Sequence, residues 1–328
     1  MGRLCRLKRY TFSAFLILVA VYFCAGQNTY LNTPAQRHWA DSVMELMTLE
    51  EKVGQLFMVA AYSNKGPQHQ QEIESLIAQH HIGGLIFFQG DPASQIRLIN
   101  QYQAISKYPL LVGMDLEWGL GMRLDSTISF PKQMTLGAIQ NEKLIYNMGA
   151  EIARQMKLIG VHINFAPVAD INSNAANPVI GSRSFGEGRG NVTSKSIAYM
   201  RGLQDNGIIA NAKHFPGHGD TGSDSHYTMP VIQRFRNELD SLELYPFSRM
   251  IDEGLMSTMV AHINIPQVDP NPERPASLSP TVVTEILIEE LRFNGLIFTD
   301  AMNMQGVTQY YKPGDADLAA FNACLLYT

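Results

Sequence analysis

The chain has 328 residues, 45% hydrophobic and 17% charged, the balance of a globular protein and of neither a disordered nor a fibrous one. That length allows one large domain or two ordinary ones. A formal charge of −5 gives no electrostatic case for binding nucleic acid.

Residues 1–26 read as a secretory signal. Arg3, Arg6, Lys8 and Arg9 precede an apolar run over residues 12–23, and Cys24-Ala25-Gly26 offers small residues before Gln27. The run is short for a membrane span, so no stable membrane insertion is expected once it is removed; an uncleaved anchor is the alternative. Cys5 and Cys24 fall in this segment and leave Cys324 alone, which excludes a disulfide framework. Export without disulfides suits the periplasm or cell surface of a bacterium.

Residues 27–328 form one catalytic-type domain in which apolar strand-like runs alternate with amphipathic helical stretches. Strands are expected at 53–60, 84–88, 110–115, 161–166, 208–214, 258–263 and 296–300. Helices are expected at 71–80, 92–105, 142–158, 191–206, 238–253 and 280–293, with another beginning over 315–323. Continuous apolar runs suit parallel strands buried on both faces. Gly160, Gly207, Gly254 and Gly295 stand near the expected helix ends. Such alternation gives either a doubly wound sheet or an eight-fold α/β barrel. Polar residues recur where strands end, at Asp115, Asp170, Lys213-His214, His262 and Asp300, and this favours the barrel. No glycine-rich phosphate loop marks a switch point. The fold class is therefore α/β, a (β/α)8 TIM-like barrel. Its last β/α unit is expected to be missing or truncated, because only 28 residues follow Asp300.

The densest chemistry lies in Lys213-His214-Phe215-Pro216-Gly217-His218-Gly219-Asp220-Thr221 and in Asp224-Ser225-His226. Groups that titrate near neutrality are concentrated where glycine and proline forbid regular structure, as in an active-site loop. His214 and His218 are four apart, but Pro216, Gly217 and Gly219 oppose a metal-binding helix. A loop-built zinc site and a purely structural role for the two rings both stay open. Asp224, two residues before His226, can fold back to orient that imidazole for proton transfer. Asp300, after an apolar run, is a candidate nucleophile, base or metal ligand, or else the N-cap of a following helix. Asp115 and Arg183 suit hydroxyl binding, and Trp118 either stacks on a sugar or packs a loop.

On these residues the chain resembles glycoside hydrolase family 3, in its bacterial β-N-acetylglucosaminidase (β-hexosaminidase) branch. The nine-residue signature, the Asp-Ser-His triplet and the strand end Thr299-Asp300 carry the resemblance, which runs from about residue 48 to residue 307. It implies a retaining mechanism with Asp300 as nucleophile. His226, paired with Asp224, would be the acid/base in place of the second carboxylate of most retaining glycosidases. An imidazole there avoids a second negative charge close to Asp300. Asp115, Arg123, Arg183, Lys213 and His214 match positions that hold the hydroxyls of a non-reducing N-acetylglucosamine. The resemblance implies no metal and no cofactor and a carbohydrate substrate as partner; a monomer is expected. The chain departs from many relatives in reading Asp115-Leu116-Glu117-Trp118-Gly119-Leu120 for Asp-Gln-Glu-Gly-Gly-Arg, and in having Ala301 for a second Asp. The expected activity is exo-hydrolysis of terminal β-linked N-acetylglucosamine from muropeptide or chitobiose-like substrates. The alternatives are a β-glucosidase or β-xylosidase of the same family, and an inactive sugar-binding remnant.

Overall fold

The computed structural model describes residues 34–225 and 227–323; the expected signal, all three cysteines and His226 lie outside the described residues. Seven parallel strands form one sheet in chain order: β1 Met58–Ala61, β2 Gly84–Phe87, β3 Leu111–Met114, β4 Ile163–Asn164, β5 Ile209–Phe215, β6 Ser257–Val260 and β7 Leu296–Thr299. Helices α1 Pro34–Glu45 and α2 Leu49–Gly54 precede the sheet. The crossovers are filled by α3 Pro67–His80, α4 Pro92–Ile105, α5 Gln133–Gly137, α6 Glu142–Leu158, α7 Arg189–Gln204, α8 Arg236–Ser241, α9 Leu244–Asp252 and, wound as a π-helix, α10 Thr281–Glu290. Helices α11 Gln305–Thr308 and α12 Asp315–Asn322 follow β7. A doubly wound sheet reverses its strand order at a switch point, and this sheet does not.

Both faces of the sheet are apolar, and they belong to different cores. Leu85, Phe87, Val112, Met114, Ala210 and Ala212 pack in the large core shared with the helices. Met58, Ile86, Ile163, Phe165, Met259 and Phe298 form a second cluster on the opposite face. In that cluster Phe165, just past β4, meets Phe298 of β7 edge to face, with ring centroids 5.3 Å apart. In a flat sheet, residues three strands apart would be separated by about 14 Å. The sheet is therefore curled around an apolar interior, as in a TIM-like barrel. Among the described residues, β1 and β7 are its two edges.

Three local expectations are corrected. The run at 53–60 begins as helix α2, because Thr48 and Glu51 form a reciprocal capping box at its start; β1 starts only at Met58. The single helix expected at 238–253 is two, α8 and α9. Pro246 lies in the first turn of α9, where its missing N–H costs nothing, whereas a continuous helix would need that donor. Gly295 does not supply a left-handed turn; Arg292 does, with φ 57°. A side chain at Gly295 would instead lie 2.3 Å from the Met256 carbonyl oxygen.

Candidate active site

Because all seven strands run the same way, their C-terminal ends share one rim, and the polar strand-end residues gather there. Lys213 and His214 are adjacent in β5, so simple alternation would send them to opposite faces. The β5–β6 register slips between Ala212 and Phe215, where three steps along β5 match two along β6. Such a bulge re-aims side chains next to a site. Here it lets both residues join one polar array.

That array is built on Lys213, whose ammonium lies 2.8 Å from Asp115 Oδ1 and 2.9 Å from Glu117 Oε1. Arg183 grips Glu117 with two hydrogen bonds, Nη2 to Oε1 at 2.7 Å and Nε to Oε2 at 3.1 Å. Arg123 Nη2 donates to Asp115 Oδ2 at 2.6 Å, and its guanidinium lies over Phe88. Burial would raise the carboxyl groups of Asp115 and Glu117. The neighbouring cations, Lys213 and Arg123 for one and Arg183 and Lys213 for the other, outweigh it and hold both below their ordinary range. Charges this desolvated survive only when paired. Sequence reasoning proposed Asp115, Arg123, Arg183 and Lys213, and the fold joins them. It missed Glu117 as the hub. Glu117 stands in the turn that follows β3, where the alternation of a strand gives no signal.

His214 extends the array. Its Nδ1 bonds Asp170 Oδ2 at 2.7 Å, while Arg183 Nη2 lies 3.3 Å from Nε2. A guanidinium can only donate, so Nε2 is the lone-pair nitrogen and Nδ1 carries the proton to Asp170. Asp170 also accepts the backbone N–H of His214 and of His218. Burial opposes its ionisation, but the two histidines hold it below the ordinary value.

His218 is a strut for the following loop. Its Nδ1 bonds Thr221 Oγ1 at 2.6 Å and its Nε2 bonds Ser225 Oγ at 3.3 Å. Burial, with His214 adding, pushes its imidazole down to about 4, so it stays uncharged at neutral pH. Both nitrogens of His214 and of His218 are thus committed to protein partners. Ser225 also ties back through its carbonyl, which accepts from Gly306 N–H at 3.3 Å. The arm that begins at Asp220 therefore springs from a fixed base and carries Asp224, which is partly buried. His226 itself lies outside the described residues.

Asp300 caps no helix, since the next one, α11, begins at Gln305. Its Oδ1 accepts from Ala301 N–H at 2.8 Å and its backbone N–H pairs with Val260. Burial would raise its carboxyl; His262, His214, the Ala301 N–H and Lys213 together hold it below the ordinary range. It is a carboxylate at neutral pH, close enough to the array to feel its charges. His262 beside it is fixed by Ser277 at 2.6 Å. Trp118 is half-buried, with the Lys132 ammonium 5.3 Å from its ring centre.

A curled parallel sheet that collects desolvated carboxylates, cations and imidazoles at its C-terminal rim defines a TIM-like barrel with an enzyme-type site. Residues 48–325 match the family model described as the glycosyl hydrolase family 3 N terminal domain, and the chain belongs to that family. It is 32% identical over 277 residues to "Beta-hexosaminidase A" of Pseudoalteromonas piscicida, covering 77% of this chain and 46% of that one. It is 36% identical over 239 residues to "Beta-hexosaminidase" of Nitrosomonas eutropha, covering 70% and 68%. Among solved structures, a family 3 β-N-acetylglucosaminidase from Paenibacillus superposes with TM-score 0.81 at 36% identity, covering 86% of this chain and 54% of that one. The chain thus spans about half the length of the Pseudoalteromonas and Paenibacillus proteins.

Proposed function

We propose that the protein is a retaining exo-β-N-acetylglucosaminidase acting on terminal, non-reducing β-linked N-acetylglucosamine. The observation that carries this reading is the ionised Asp300 beside the Asp115–Glu117–Lys213–Arg183–His214 array, in a chain of this family. The names of the Nitrosomonas and Paenibacillus relatives support the sugar. Asp115, Arg123, Arg183, Lys213 and His214 hold one sugar ring; charged, preorganised donors and acceptors discriminate sharply among hydroxyl patterns.

In the first step an Asp300 oxygen attacks the anomeric carbon as the glycosidic C–O bond breaks, and His226 gives its proton to the departing oxygen. In the second, His226 takes a proton from water, whose oxygen attacks the same carbon and displaces Asp300. Asp224 orients the imidazole and stabilises its charged form. Small β-linked fragments, muropeptide or chitobiose-like, suit an exported bacterial enzyme that works as a monomer.

A chromogenic β-N-acetylglucosaminide assayed beside the matching β-glucoside tests the proposal. Turnover of the first and little of the second is expected. Hydrolysis of the glucoside alone would overturn the substrate assignment.

A further inference from the structure

Behind the histidine loop lies a charged cluster that the reaction above does not use. Glu243, next to the start of α9, is buried, and its side chain packs under the loop: a Cβ at Gly217 would lie 2.8 Å from Glu243 Cβ and 2.9 Å from its Oε2. Arg234 Nε lies 3.1 Å from Glu243 Oε1 and 3.2 Å from Asp220 Oδ2. Arg234 Nη2 also donates to Ser173 Oγ, which in turn faces Asp220 Oδ1 at 3.5 Å. Asp220 is the first residue of the arm that carries Asp224 and His226. The backbone leading to Arg234 is anchored, since Val231 bridges Asn264 and Ile232 N–H bonds the Asn264 carbonyl at 2.9 Å. A guanidinium three residues past this anchored bridge thus grips the root of an arm.

We propose that Arg234, seated on Glu243, is a positioning residue for the proton donor: by holding Asp220 it sets how the arm presents His226 to the leaving group. The inference rests on the acid/base reading of His226. It goes beyond that reading by placing control of the acid in residues remote from the sugar. The contacts at Arg234 Nε are ionic and lack hydrogen-bond alignment, so charge, more than directional bonding, holds the root. Burial raises the Glu243 carboxyl to about 8; Arg234 opposes that rise, and Asp170 and Asp220 add to it. At neutral pH Glu243 therefore neutralises little of the guanidinium, and the positive charge is directed at Asp220.

The test compares kcat/KM for chitobiose, whose leaving group needs a proton, with kcat/KM for 2,4-dinitrophenyl β-N-acetylglucosaminide, whose leaving group does not. Arg234→Ala should lower the first by about 10- to 100-fold, within the range of general acid catalysis, and change the second by less than about threefold. Arg234→Lys, which keeps the charge, should restore part of the loss. Asp220→Asn should show the same leaving-group dependence, and the double variant should be no worse than the poorer single one. Because Asp220 is partly exposed, that variant also reads out the idea if Arg234→Ala does not fold. Equal losses on both substrates, or effects that multiply in the double variant, would overturn the proposal and leave a structural contact only. Failure of the underlying reading looks different: wild-type protein would then turn over neither glycoside, and the proposal would fall with it.

Discussion

Asp300 and His226 are asked to do different chemistry, and variants at the two positions should separate accordingly. Removing the nucleophile in Asp300→Ala leaves nothing to form the glycosyl-enzyme, so turnover of every substrate should fall by several orders of magnitude. Removing the acid in His226→Ala should depress kcat/KM for chitobiose far more than for an activated aryl glycoside; equal losses in a steady-state assay would argue against the acid role. Glu117 calls for a stability measurement. It lies wholly buried between Lys213 and Arg183, so Glu117→Gln leaves two desolvated cations short of a counter-charge. Breaking a buried pair from one side costs about 3–5 kcal/mol, and denaturant unfolding should show a loss of that order. Glu151→Gln, at an exposed i,i+3 pair with Arg154, should scarcely move the midpoint. If the two variants unfold alike, the hub assigned to Glu117 is wrong.

At the scale of elements, the arm and its base have a pH dependence that can be read by melting. Glu243, buried at the N-terminal edge of α9, has its carboxyl raised from 4.5 to about 8, mainly by burial. Below pH 4.5 it is protonated whether the chain is folded or not, and its contribution does not change. Between 4.5 and about 8 the unfolded chain releases a proton that the folded protein retains, so stability falls as pH rises across that window. Glu243→Gln removes this titration. The melting temperature of the variant should gain on the wild type as pH climbs from 5 to 8, and parallel curves would refute the shift. Strand positions were legible because continuous apolar runs such as Leu85-Ile86-Phe87 and Leu296-Ile297-Phe298 leave little choice of state. The start of β1 was not, since a capping box outranked an apolar run that suited either state. Glu117 was illegible as a hub because Arg183 is 66 residues away and only the closed fold brings them together. The strand-end rule did reveal Asp115, Lys213, His214 and Asp300. It could not reveal the bulge at Ala212–Phe215 that turns adjacent residues to one task.

For the molecule as a whole, the site exists only because the sheet curls. Asp115 follows β3, Lys213 lies in the last three residues of β5 and Asp300 follows β7; on a flat sheet the outer two would sit about 19 Å apart at 4.8 Å per strand. Curling depends on what fills the interior, and there Phe165 and Phe298 meet edge to face at 5.3 Å. Both rings are buried, so truncating either to alanine should cost about 3–5 kcal/mol. The double variant gives the sharper test, because aromatic pairs in contact couple by about 0.5–1.5 kcal/mol beyond their burial, whereas residues that do not touch add independently. A coupling in that range, measured by denaturant unfolding across the four-member cycle, is expected of a curled sheet. Additive losses would mean that β4 and β7 do not share an interior. The rim would then open, and Asp300 would lose the neighbouring groups, His262 and Lys213 among them, that hold it below the ordinary range. Fold and chemistry therefore stand or fall on the same pair of rings.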